Sequence, residues 1–133
     1  MQAIRIHEYG GPEVLKLEEL PTPEPGPGQA LVEVAATGVN FVEIYQRMGW
    51  YKLPALPAIM GGEGAGTVLK VGPDVTAVQP GDRVAWLGGS TGSYATHTLV
   101  TANQLAPVPA ALTLEQAAAV MVQGLTAHVL AHR

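Results

Sequence analysis

The sequence predicts a small, mainly β domain, a barrel of short strands with one brief helix near 40–48 and helices only from 113 onward. Three observations predict it. Short runs of alternating apolar and polar residues recur at roughly 8–12-residue spacing, with turn chemistry between them. Helical periodicity occurs once in the body of the chain and again only at its end. The chain is 47% hydrophobic but has a single Phe, so the core must rest on Val, Leu, Ile and Ala.

Residues 2–7 alternate as a first strand, and Gly10, Gly11 and Pro12 make the turn after it. Residues 14–20 alternate again, with Val14, Leu15 and Leu17 expected inward against Lys16 and Glu18. Residues 21–28 hold four prolines and two glycines, too few donors and too fixed a φ for a sheet interior. Residues 30–39 form the clearest strand. Asn40 is a good N-cap, Phe41, Ile44 and Tyr45 recur at helical spacing, and Gly49 ends that helix. Residues 61–66 read as a glycine-dense loop leading into a strand at 67–71. Pro80, Gly81 and Asp82 form a tight turn before a strand at 83–87, residues 88–92 form a second loop, and 94–100 close the β portion. Thr113 and Gln116 frame a capping box. Residues 117–122 are apolar on every side and expected to be buried; Gly124 is expected to break the helix, which resumes over 125–133.

At 133 residues the chain is one domain by length. Its net charge of −4, with seven Lys and Arg dispersed singly, argues against nucleic acid or anionic membrane as partner. It has no cysteine, which excludes disulfides, thiolate nucleophiles and Cys-based zinc sites. No apolar run approaches the ~20 residues that span a bilayer, and no leader opens the chain. A cytoplasmic location is expected.

Two segments could carry chemistry. In the first, Asn40 is delivered by a strand to a helix start, followed by Tyr45, Trp50 and Tyr51. Asn40 is either a plain N-cap or a fixed donor and acceptor for a ligand, with Tyr45 one turn onward. In the second, glycines at 61, 62, 64 and 66 surround Glu63. A nucleotide-binding loop would run from strand to helix, and this one runs into a strand. Glu63 either caps buried backbone donors or acts as an acid or base. His128 and His132, four apart, could share a metal, but no third ligand is near in sequence; a solvated helix end accounts for them and no metal is expected.

These segments stand in an order that resembles one family. Gly-Gly-Pro-Glu-Val-Leu at 10–15, Gly-Val-Asn-Phe-Val-Glu-Ile-Tyr at 38–45 and Arg-Met-Gly-Trp-Tyr at 47–51 come first. Gly-Glu-Gly-Ala-Gly at 62–66, Val-Gln-Pro-Gly-Asp-Arg-Val at 78–84 and Ala-Ala-Ala-Val-Met-Val-Gln-Gly-Leu-Thr-Ala-His at 117–128 follow. Together they resemble the zinc-independent, zeta-crystallin-like quinone oxidoreductases of the medium-chain dehydrogenase/reductase superfamily. The superfamily's zinc enzymes carry Cys where this chain has Asn40 and His where it has Gly62.

The resemblance implies a GroES-like, partly open barrel over 1–112 and the start of interdomain helices over 113–133. The Rossmann domain that would follow is absent, so the chain is expected to be part of a longer enzyme and inactive alone. It further implies Asn40 and Tyr45 beside the nicotinamide of NADPH, Thr126 at its carboxamide, and Tyr51 with Trp50 bordering the substrate pocket. The chemistry would be hydride transfer to a quinone. NADPH is not expected to bind this chain alone, since a pyrophosphate needs a helix N-terminus and close backbone approach. An enone or enoyl reductase with Tyr51 as proton donor is the alternative, as is a non-enzymatic GroES-like binding module gripping a partner through residues 54–60. Apolar surface over 117–129 is expected to favour self-association.

Overall fold

A computed structural model of the chain describes residues 1–88 and 92–132. Strands β1 (Gln2–Ile6), β2 (Lys16–Glu19), β3 (Gln29–Thr37), β4 (Ala58–Ile59), β5 (Glu63–Val71), β6 (Arg83–Leu87), β7 (His97–Thr101) and β8 (Leu105–Pro107) form two antiparallel sheets. One has the order β2-β1-β4 and the other β7-β3-β5-β6-β8. They meet where Ile4 N donates to Tyr94 O at 2.7 Å and Ala3 bridges Ala95. The barrel is therefore partly open, as expected. Helices α1 (Phe41–Arg47), α2 (Leu114–Ala119) and α3 (Met121–Ala131) complete it. Among the described residues no helix is long and apolar enough to cross a membrane.

The core follows the composition. Ala30, Val32, Val68, Val84 and Val100 pack around the fully buried ring of Trp86. A Cβ at Gly64 would stand 2.6 Å from the Trp86 ring and 2.9 Å from Ala36 O. Glycine there lets β5 lie against β3 beside a buried indole. On another face Ala117 and Ala118 of α2 pack on Ala65 and Ala85. A third cluster joins Ile6, Leu53 and Met60.

Several expectations change. Residues 63–66 are the first half of β5 and pair with β3 and β6, not a loop. Their small side chains hid a strand whose period was filled by close-packed backbone. In β2 the phase is reversed: Leu17 is 66% exposed, whereas Glu18 turns toward Arg5 and His7. Val14 belongs to a single 3₁₀ turn over Pro12–Val14. Strands β4 and β8 are additions, and the final run is a strand only over 97–101. Thr113 does cap α2, with Gln116 N donating to its Oγ1 at 3.2 Å and its own N–H donating to Gln116 Oε1 at 2.9 Å. Only Ala117 and Ala118 of residues 117–122 are buried, and Val120 is 52% exposed. The helical break falls at Val120, not at Gly124, which lies inside α3. The middle of the loop expected over 88–92, residues 89–91, and Arg133 lie outside the described residues.

Candidate functional site

Three elements converge on Glu63. It opens β5, is fully buried, and receives two N–H donors from distant parts of the chain. Asn40 Nδ2 donates to its Oε1 at 2.8 Å, and the backbone N–H of Val122 donates to its Oε2 at 2.7 Å. Val122 stands at the second position of α3, where a helix N–H has no partner of its own. The side chain of Glu63 thus caps a helix from another element. That is the reason α3 begins where it does: the buried carboxylate fixes the first turn, and Gly124 passes through the helix uninterrupted. Of the two readings open for Glu63, capping of buried backbone is the one this geometry fits.

Room for this carboxylate comes from Gly38. A Cβ built there would overlap the Glu63 side chain. Beyond it, Thr37 Oγ1 donates to Glu63 O at 2.8 Å and lies 2.9 Å from Ser93 Oγ.

A second buried acid, Glu43, completes the junction. It is 5% exposed and sits at the third position of α1. Its Oε2 accepts from Asn40 N at 2.8 Å and its Oε1 from Gly62 N at 3.1 Å. Asn40 is therefore the N-cap of α1 as expected, held by Glu43 through its backbone and by Glu63 through its side chain. Its remaining atom, Oδ1, accepts from Gln123 Nε2 of α3 at 3.0 Å. Among the described residues, N–H groups satisfy these two buried carboxylates and no cation is one of their hydrogen-bond donors. Buried polar groups are tolerated on that condition.

Tyr94 borders the same junction. Its hydroxyl oxygen is buried and has no hydrogen-bond partner among the described residues. Burial, and then the nearby charges of Glu43 and Glu63, push the phenol up to about 12 from its ordinary 10.0. It therefore stays protonated through any physiological range.

Asn40 lines two small cavities of about 90 and 110 Å³, the first with Tyr94, Met60 and Arg47, the second with Gly62, Leu87 and Val122. Tyr45, Trp50, Tyr51 and Thr126 line neither. Tyr45 instead stacks on Trp50 at 5.5 Å between ring centres and meets Tyr51 edge-on at 5.5 Å. The three form one aromatic cluster at the end of α1, with Trp50 65% exposed. Thr126 is exposed on α3, one turn beyond Gln123, and so lies on the helix face that touches Asn40. The expected residues thus fall into two groups: a polar group of the Asn40 amide and the Thr126 hydroxyl where α1 meets α3, and a ring group of Tyr45, Trp50 and Tyr51 at the far end of α1.

His128 and His132 stack at 4.3 Å, and His132 Nδ1 donates to His128 O at 2.9 Å, a local helix-end contact. Among the described residues no three His, Cys, Asp or Glu side chains are gathered as metal ligands would be.

Sequence reasoning missed Glu43, Gln123 and Gly38. Glu43 had a signal, since Asn40-x-x-Glu43 is a capping-box spacing. Gln123 and Gly38 had none, because their partners lie 83 residues away and on the neighbouring strand β5 respectively.

Comparison with known proteins fits this picture. The alcohol dehydrogenase GroES-like domain model matches residues 26–110. A quinone oxidoreductase of Pseudomonas aeruginosa is 43% identical over 127 residues, covering 96% of this chain and 39% of its own length. The Escherichia coli quinone oxidoreductase, solved in complex with NADPH, superposes with a TM-score of 0.96 at 39% identity, covering 100% of this chain and 41% of that one. A 2-haloacrylate reductase superposes with a TM-score of 0.87 at 36% identity, covering 100% of this chain and 40% of that one. The chain thus spans about two fifths of the length of these relatives. The chain belongs to the alcohol dehydrogenase GroES-like domain family, and is similar within it to quinone oxidoreductases.

Proposed function

We propose that these residues form the nicotinamide-facing wall of a cytoplasmic, NADPH-dependent oxidoreductase that passes a hydride to a quinone. The observation that carries the reading is the Asn40–Gln123 contact, which sets the Asn40 amide beside the face of α3 that bears Thr126. Asn40, buried on one side and held by two carboxylates, presents a fixed polar group; Thr126 adds a hydroxyl one turn along. This pair suits the carboxamide of a nicotinamide. NADPH, when bound, supplies the hydride. Asn40 and Thr126 would orient the ring, Tyr45 would flank it, and Trp50 with Tyr51 would border the acceptor. Exposed aromatic faces suit a planar quinone. The protein's part is position and polarity.

In this reading residues 1–112 are the substrate domain and 113–133 lead into a nucleotide-binding region that holds the pyrophosphate. The 133 residues alone are then inactive and bind NADPH weakly. A calorimetric titration tests this, with no saturation expected at micromolar NADPH; micromolar affinity overturns it. In the chain joined to a nucleotide-binding region, Asn40→Ala is expected to weaken NADPH binding. An activated alkene is the second acceptor to consider, favoured by the likeness to the 2-haloacrylate reductase. Tyr51→Phe separates the two, because a large loss of rate is expected only where Tyr51 gives a proton to carbon chemistry. Helix α3 buries none of its residues, and Val120, Leu125, Val129 and Leu130 are exposed. Self-association through 117–129 is expected at high concentration, and a monomer by light scattering would count against it.

A further inference from the structure

A side-chain amide has nearly the same shape either way round, so its neighbours alone decide where its oxygen points. At Asn40 the deciding neighbour is Glu63. Both Glu63 oxygens accept, one from Asn40 Nδ2 and the other from Val122 N. Glu63 is fully buried and cannot turn to water for a donor, and the missing Cβ of Gly38 makes the room it occupies. The Asn40 nitrogen must therefore face inward and its Oδ1 outward, where it meets the Nε2 of exposed Gln123.

We propose that Glu63 is a positioning residue that sets the polarity of Asn40, so that the α1–α3 face offers a carbonyl oxygen to a ligand group that donates. Hydrogen-bond direction runs one way through the junction: Val122 N–H and Asn40 Nδ2–H both point at Glu63, and Gln123 Nε2–H points at Asn40. Gln123 holds the place of the ligand donor and, being exposed, can swing aside for it. The identity of that donor as a carboxamide NH₂ rests on the proposed function; the polarity does not.

Reversing the direction tests it. In Glu63→Gln the new side chain keeps one acceptor for Val122 N and turns a donor on Asn40, which must invert and present Nδ2 to position 123. Gln123→Glu supplies an acceptor there. Alone, Gln123→Glu should lose the contact to Asn40 Oδ1, because two acceptors do not pair, and lower the melting temperature by that one exposed hydrogen bond. Combined with Glu63→Gln it should restore the melting temperature lost in the single variant. In wild type the Asn40 side-chain amide protons should show nuclear Overhauser contacts to the Val122 amide proton, and in the double variant these should move to the side chain at position 123. Hydrogen exchange at Val122 should stay slow in Glu63→Gln and speed up roughly tenfold or more in Glu63→Ala. The proposal is overturned if Gln123→Glu costs the same in both backgrounds, or if the Asn40 contacts stay at Val122 in the double variant.

A ligand arm keeps the two readings apart. Millimolar nicotinamide mononucleotide and nicotinic acid mononucleotide differ only in carboxamide against carboxylate. Saturation transfer should favour the amide in wild type and shift toward the acid in Glu63→Gln. If the stability and proton contacts behave as expected but, in the chain joined to a nucleotide-binding region, the two nucleotides respond alike in wild type and in Glu63→Gln, the polarity stands and the nicotinamide reading falls.

Discussion

Glu63 and Glu18 are both glutamates that gather donors from separate segments, yet they do different work. Glu63 lies in the interior and takes N–H groups from α1 and α3. Glu18 lies on the β1–β2 surface, where Arg5 Nη1 donates to it at 2.9 Å and His7 Nε2 stands at 2.5 Å. The surface cluster is an ion pair in high dielectric, with little leverage on the fold. Among the described residues the interior cluster draws on N–H donors and no cation, and each of these part-buried donors would lose its partner without it. Charge at the surface decorates this domain, whereas acceptor capacity in the interior organises it.

The comparison breaks hardest at Glu63. Glu63→Ala orphans Asn40 Nδ2 and the Val122 N–H, and is expected to cost about 4 kcal/mol in urea unfolding, at one to three for each buried group. Loss of helical signal from α3 should accompany it. Gly38→Ala attacks the same junction by overfilling it, and about 2 kcal/mol is expected. A wild-type-like denaturation midpoint in either variant would mean that the junction is not organising.

Tyr94 provides a subtler probe. Its folded phenol titrates near 12 and its unfolded one near 10.0. The folded state thus holds its proton longer, so stability falls as pH rises from 10.0 toward about 12 and levels beyond. Tyr94→Phe should remove that alkaline loss and be neutral or slightly stabilising at neutral pH, since the hydroxyl has no partner. The smallest effect belongs to Glu18. The hydrogen bond to His7, with Arg5 adding to it, holds its carboxyl below the ordinary 4.5. Its contribution is complete above that value and is lost as pH falls through the lowered folded one. Glu18→Gln should flatten the acid limb of a stability–pH curve and change little at neutral pH. A large neutral-pH loss would erase the contrast with Glu63.

Much of this was legible in the residues. The helix at 41–47 was announced by Asn40 and ended by Gly49, whose φ of 77° suits glycine. The Thr113 capping box was legible because it is local, its partners three residues apart. The first half of β5 was not, since Gly64, Ala65 and Gly66 carry no alternation to read. Nor was the phase of β2, where Leu17 faces solvent and Glu18 turns to Arg5 of β1 and His7 just beyond it. The candidate site divided the same way: Asn40, Tyr45, Trp50, Tyr51 and Thr126 stood out in sequence, while Glu43, Gln123 and the room made by Gly38 did not.

By itself the sequence determined the strand-rich class, the two capped helix starts and the absence of any thiol chemistry, because each depends on neighbours in the chain. Tertiary structure decided that Glu63 reaches Val122 across 59 residues, that α3 therefore starts past Val120, and that the Asn40 oxygen faces outward. Those outcomes depend on which donors a buried acceptor can find, and burial is settled only when β5, α1 and α3 have packed together.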